Sequence, residues 1–109
     1  MVARRVARVI RLRPERQAEY RRLHTEVWPG VLDALRAAHM TNYSIFLRDG
    51  LLFSYLEYTG DDYDSDIAAI AADPVTREWW TLTDPSQEPF PSAGPGERWV
   101  GAEGVFHLD

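Results

Sequence analysis

The stretch Thr41–Tyr58, TNYSIFLRDGLLFSYLEY, decides the fold. Residues 41–48 and 51–58 are rich in the β-branched, aromatic and aliphatic side chains that suit extended chain. Between them stand Arg48, Asp49 and Gly50, and Asp-Gly flanked by such runs is a strong hairpin signal. The reading is strand 41–48, a tight turn, and a return strand 51–58.

Upstream, residues 4–12 (RRVARVIRL) are partly alternating and read as a strand. Arg8, Ile10 and Leu12 share one of its faces; Ala7, Val9 and Arg11 share the other. Pro14 suits a first helical turn, and a helix is predicted through PERQAEYRRLHTEVW, residues 14–28. Ala18, Leu23 and Val27 lie beside a row made by Tyr20, His24 and Trp28. Trp28 precedes Pro29 and is pushed out of the α region, so it marks a boundary. A second helix then covers residues 29–39, with Val31, Leu32 and Leu35 inward.

Downstream of the hairpin, Asp62 or Asp64 is placed to cap a helix carrying Ile67, Ile70 and Ala71. Pro74 breaks or restarts it, and VTREWWTLT (75–83) reads as a short helix. Residues 85–98, with four of the seven prolines, read as one long loop. Residues 99–108 are predicted as a last strand, softened by Gly101 and Gly104. The order β, α(α), β, β, α(α), β is the split β-α-β, ferredoxin-like α+β arrangement with an antiparallel sheet. Helices cover one face of such a sheet; a ligand or a second subunit must cover the other.

Composition sets outer limits. With 109 residues, 45% hydrophobic and 27% charged, residues 1–109 read as one globular domain. The formal charge of −5 argues against nucleic acid as a partner. No cysteine is present, which removes disulfide and thiol chemistry. The basic start lacks the continuous apolar run of a signal peptide. No stretch approaches the ~20 apolar residues of a membrane span. No membrane partner and a cytoplasmic location are the expectations.

Several constellations invite chemistry. Asp61, Asp62, Asp64 and Asp66 resemble the start of a calcium loop, but from Asp62 the sixth and twelfth positions are Ile67 and Asp73, where glycine and glutamate belong. Helix capping is the better reading. His24, His39 and His107 show no metal-ligand spacing, and no metal or other cofactor is expected. His39 falls at a helix C-terminus, where a cation is favoured. Adjacent helical residues diverge by ~100°, so only one of Trp79 and Trp80 enters the core. Asn42 and Tyr43 likewise face opposite ways at a strand start. No GxSxG or phosphate-loop motif occurs; GPGE (94–97) lacks the helix that should follow. Tyr20, His24 and Trp28 at steps of four form a stripe of polar-tipped rings, which leaves packing and chemistry evenly matched.

These features together resemble the L-rhamnose mutarotase family. The residues that carry the resemblance are EYRRLHTEVWPGV (19–31), NYSIFL with LLF (42–53), REWWTLTD (77–84) and EGVFHL (103–108). They follow the family's order across almost the whole chain. The resemblance implies a ferredoxin-like subunit that forms a homodimeric α/β barrel and interconverts the α and β anomers of L-rhamnose. It implies that His24 is the proton donor and that Tyr20, Tyr43, Trp79 and Trp80 contact the sugar. Two departures, a longer proline-rich stretch at 85–98 and TLTDPSQ after Trp80, lie near the expected pocket mouth and leave the particular sugar open.

The chemistry suits the residues. Opening a hemiacetal needs a proton delivered to the ring oxygen and another taken from the anomeric hydroxyl. One group titrating near neutrality, as histidine does, serves both directions. Aromatic faces match the C–H surfaces and methyl group of a 6-deoxy sugar. Two other classes remain open on this fold: a cofactor-independent monooxygenase or cyclase acting on an aromatic substrate, and a non-catalytic barrel that binds a small ligand.

Overall fold

The computed structural model describes residues 3–109. Its elements are β1 (Arg4–Leu12), α1 (Gln17–His24), α2 (Pro29–Ala37), β2 (Met40–Arg48), β3 (Leu51–Tyr58), α3 (Tyr63–Ala72), α4 (Pro74–Thr83), β4 (Gln87–Glu88) and β5 (Val100–Ala102). Asp49 and Gly50 take φ of 52° and 73°. Positive φ at both central residues matches the twist of the flanking strands. The turn sets the register: Leu47 opposes Leu52, Phe46 opposes Phe53 and Ile45 opposes Ser54. β3 then pairs with β1 along its length, from Arg4 opposite Tyr58 to Arg11 opposite Leu51. The other edge of β1 is shared by β4 at Arg11 and Leu12 and by β5 at Ala7–Val9. All pairs are antiparallel, and the order is that of a ferredoxin-like sheet with its last strand split in two.

Alternation along the strands gives the sheet two different faces. Toward the helices point Ile10, Leu12, Leu52 and Leu56, all but sealed from solvent. Ala38, Met40, Tyr58 and Ile70 extend this core at one end, and Leu23, Val31 and Trp79 form a further cluster among the helices. The opposite face carries Phe46 and Phe53, which are 62% and 38% exposed. Register aligns Phe46, Phe53, Val9 and Val100 in one apolar row straight across four strands.

Three expectations need correction. The helix predicted over 14–28 is a 3-10 turn at Pro14–Arg16 followed by α1, which stops at His24. The Thr25 N–H and hydroxyl both donate to the Arg22 carbonyl, at 3.2 and 2.7 Å, closing the last turn. Trp28 is extended, with φ −60° and ψ 135°, and Pro29 opens α2. The stretch read as a loop at 85–98 starts within a 3-10 turn, Asp84–Ser86, and contains β4. Arg13 N–H donates to the Ser86 carbonyl at 2.8 Å, and Arg11 Nη2 to that of Pro89 at 2.7 Å, so β1 organises this segment. The strand predicted over 99–108 is only Val100–Ala102. Gly101 and Gly104 offer no side chain to pack, and Val105, Phe106 and Leu108 stand in solvent.

Asp62 caps α3 by accepting from Ser65 N–H, and Asp73 caps α4 by accepting from Thr76 N–H. Pro74 therefore restarts a helix rather than ending one. His39 follows α2 in a left-handed conformation, φ 65°, and its Nδ1 lies 3.2 Å from Asp66 Oδ2. The buried Tyr58 hydroxyl donates to the same carboxylate and accepts from Asp62 N–H. The Tyr58 hydrogen bond, with His39 second, holds the Asp66 carboxyl below its ordinary value. A depressed carboxyl contributes stability above its unfolded pKa of ~3.9 and loses it as pH falls through the native value. Melting temperatures from about pH 5 to about pH 2 are therefore expected to fall less steeply in Asp66→Asn than in wild type. Parallel curves would show that this carboxylate is not part of the acid sensitivity.

Candidate active site

Tyr20 and His24 lie one turn apart on α1, with ring centroids 4.3 Å apart and planes tilted by 31°. His24 Nδ1 is 2.8 Å from the Tyr20 carbonyl oxygen. A carbonyl only accepts, so Nδ1 carries the hydrogen and donates it. In the neutral ring Nε2 is then left with a free lone pair. Trp79 meets His24 edge-on at 5.6 Å and 73°, and Trp28 meets Trp79 at 5.2 Å and 67°. The third member of the row has left the helix, yet it rejoins the other two through Trp79.

Packing of α2 on α4 positions Trp79. A Cβ at Gly30 would come within 2.8 Å of Val75 Cγ1, so glycine there lets the two helices approach closely without displacing the Val75 side chain. The adjacent tryptophans diverge: Trp79 is 5% exposed and Trp80 38%. Tyr43 reaches the site by a different device. The β2–β3 register shifts between Thr41 and Ser44, and Asn42 takes φ 47°. Such a bulge re-aims the side chains beside it. Asn42 turns away and donates to Glu57 Oε1 at 2.8 Å. Tyr43 turns toward the helices.

Two hollows of about 580 and 770 Å³ lie between the sheet and the helices. Their common wall is Arg8, Tyr20, His24, Tyr43, Ile45, Trp79 and Trp80. All five residues singled out in the sequence therefore come together. Beyond the common wall the first hollow is mostly apolar, with Val31, Leu35, Met40 and Ile70 among its walls; Arg21 and Thr76 are its other polar members. The second adds Thr83, Asp84 and Gln87, and is closed by Gly96–Trp99 of the proline-rich segment.

Burial dominates the titration of the wall. It pushes the Tyr20 phenol up to about 12, against a smaller opposite effect of its hydrogen bond with Gln87. Burial also raises Tyr43, with the Arg8 charge acting the other way. Tyr43 is 37% exposed as a residue, but its phenolic end is the part enclosed by protein. Both phenols therefore stay protonated near neutrality and act as hydrogen-bonding groups. Burial raises Asp84, and Arg98 opposes the shift.

Sequence reading missed Gln87, Asp84 and Arg98. Gln87 Nε2 donates to the Tyr20 hydroxyl at 3.3 Å, and Arg98 Nη2 donates to the Asp84 carbonyl at 3.0 Å and to Gln87 Oε1 at 3.4 Å. No pattern in the proline-rich stretch signals this bracing. The other candidates lie elsewhere: His39 is bound to Asp66, and His107 sits 2.7 Å from Asp109 Oδ1. Among the described residues no group of three or more His, Cys, Asp or Glu side chains is arranged to hold a metal ion.

The chain is similar to known proteins. A family model described as L-rhamnose mutarotase matches residues 5–108. An L-rhamnose mutarotase from Burkholderia orbicola is 39% identical over 102 residues, covering 92% of this chain and 93% of that protein. One from Listeria monocytogenes is 35% identical over 107 residues, covering 95% and 97%. The crystal structure of an L-rhamnose mutarotase from Formosa agariphila superposes with a TM-score of 0.77 at 21% identity, over 97% of this chain and 99% of that one. That likeness bears on the fold.

The geometry makes Gln87 the buried partner of the Tyr20 hydroxyl. Gln87→Leu leaves that hydroxyl unpaired and is expected to cost about 1–3 kcal/mol in urea unfolding. An unchanged unfolding midpoint would contradict the assignment.

Proposed function

The chain belongs to the L-rhamnose mutarotase family, and we propose that residues 1–109 act as one domain that interconverts the α and β anomers of L-rhamnose or a related 6-deoxyhexose. The enzyme is an isomerase. Neither the aromatic-substrate monooxygenase nor the ligand-carrier reading is favoured by these relatives. The observation that carries the proposal is the shared cavity wall, where His24 presents Nε2 among Tyr20, Tyr43, Trp79 and Trp80.

In the proposed reaction the C1–O5 bond breaks as O5 gains a proton and O1 gives one up. The open aldehyde rotates about C1–C2, O5 adds back from the other face, and the protons return. No bond to the protein forms. His24 is the proton carrier at Nε2, its other nitrogen being occupied by the Tyr20 carbonyl. The neutral phenols of Tyr20 and Tyr43 hydrogen-bond sugar hydroxyls. Trp79 and Trp80 supply apolar faces for the methyl and C–H surfaces and exclude water. General acid–base help of this kind is worth ~10²–10⁴-fold, which suffices for a reaction that already proceeds unaided.

A homodimer completes the proposal. The apolar row Phe46–Phe53–Val9–Val100 is a sheet face without a layer over it, and a second copy would make the missing layer. Val105, Phe106 and Leu108 are also exposed and offer further apolar surface. Among the described residues no helix is long and apolar enough to cross a membrane; a cytoplasmic location is part of the proposal.

Saturation-transfer NMR between rhamnose anomers tests the reaction. His24→Ala is expected to lower the catalysed rate by ~10²–10⁴-fold. Tyr20→Phe removes one hydroxyl contact of about 1 kcal/mol, an effect of about fivefold. Wild-type exchange in His24→Ala would remove His24 from the reaction. For the dimer, sedimentation of Phe46→Asp should give a monomer where wild type gives twice that mass; equal masses would reject this interface.

A further inference from the structure

Arg8 is a charge set into an apolar row. On the helix-facing side of β1 it stands between Val6 and Ile10, and Ile10 is wholly buried. Its neighbours across the sheet are Ser54 on β3 and Gly101 on β5. Neither provides an acceptor for the guanidinium: the Ser54 hydroxyl is turned to the Arg8 carbonyl at 3.5 Å, and Gly101 has no side chain. Arg8 Nε is buried without a hydrogen-bond partner. Among the described residues Arg8 has no carboxylate within ion-pair distance.

Several nearby polar groups are paired, although Arg98 Nε, like Arg8 Nε, is buried without a hydrogen-bond partner, and Arg21 and Arg5 each line one of the two hollows. Asp84 has Arg98, the Tyr20 hydroxyl has Gln87, and His24 Nδ1 has the Tyr20 carbonyl. Arg8 alone brings an unmatched cation to the wall common to both hollows, alongside Tyr43. A buried guanidinium N–H without an acceptor is costly, and the cost is relieved by a ligand oxygen. Guanidinium is a planar fork of donors that fits two neighbouring oxygens at once. A sugar offers such pairs as vicinal hydroxyls or, in a sugar acid, as a carboxylate.

We infer that Arg8 is a substrate-binding, specificity-determining residue whose guanidinium holds two adjacent acceptor oxygens of the bound sugar. The inference rests on the cavity being the sugar site. Arg8 thereby selects among sugars, while His24 carries out the proton transfer common to all of them.

Anomer exchange is measured on wild type, Arg8→Met and Arg8→Lys, with L-rhamnose and with a hexuronate as substrates. In Arg8→Met, KM is expected to rise about 10–100-fold, the range for a lost charged hydrogen bond, with kcat little changed. Arg8→Lys, which keeps the charge but not the fork, should lie between the two and gives the readout if the Met variant does not fold. If vicinal hydroxyls are the oxygens held, the rise appears with L-rhamnose. If a carboxylate is held, wild type shows the lower KM for the hexuronate and the rise is confined to it. A wild-type KM for both sugars in the variants overturns the inference, as does an equal fall in kcat with KM unmoved. Should wild type accelerate neither sugar, the mutarotase reading fails by itself. Calorimetric binding of the same sugars then reads Arg8 directly: equal Kd in wild type and variants, or no binding, overturns it.

Discussion

The site depends on one hydrogen bond, from His24 Nδ1 to the Tyr20 carbonyl at 2.8 Å. It exists because both residues belong to one helical turn, and it fixes which nitrogen of the imidazole carries the hydrogen. Tyr20 on one side and Trp79 on another hold the ring plane. Had α1 run on toward Pro29, the next turn would have flanked His24. Instead the helix closes at Thr25, and His24 becomes the last residue of α1, partly open to the cavity.

The sheet then divides two tasks between its faces. One face builds the cavity with the helices; the other presents an apolar row that a second copy is proposed to cover. β1 serves both, since its residues alternate between them: Arg8 and Ile10 face the helices, Val9 and Arg11 face away. Arg11 also anchors the segment after β4 through the Pro89 carbonyl, with Phe90 packed under its guanidinium at 5.3 Å. The proline-rich stretch, at first sight a departure at the pocket mouth, is in this way folded back to form a wall of the second hollow.

Features governed by local chemistry were legible in the sequence. Asp49-Gly50 specified the hairpin, the acidic pair Asp62 and Asp64 a cap for α3 that Asp62 supplies, Pro29 the corner at Trp28, and the 100° step between neighbours the divergence of Trp79 and Trp80. The resemblance to a family supplied the five candidate residues, and the fold brings them to one wall. Features set by distant contacts were not legible. β4 forms because β1 leaves an unpaired edge at Arg11 and Leu12. Gln87 and Arg98 become part of the site only once that edge is filled. The alternation of β1 put Arg8 in the core-facing row from the start, but its meaning needed the cavity beside it.

The proposed catalysis turns on the His24 ring: Nδ1 committed to the helix and Nε2 given to the sugar. Histidine ¹⁵N NMR, with His24→Gln used to assign the signal, tests this directly at a pH where the ring is neutral. The expected result is the Nδ1–H tautomer in the free protein and a shift confined to Nε2 when L-rhamnose is added. An Nε2–H tautomer whose signals ignore the sugar would contradict it.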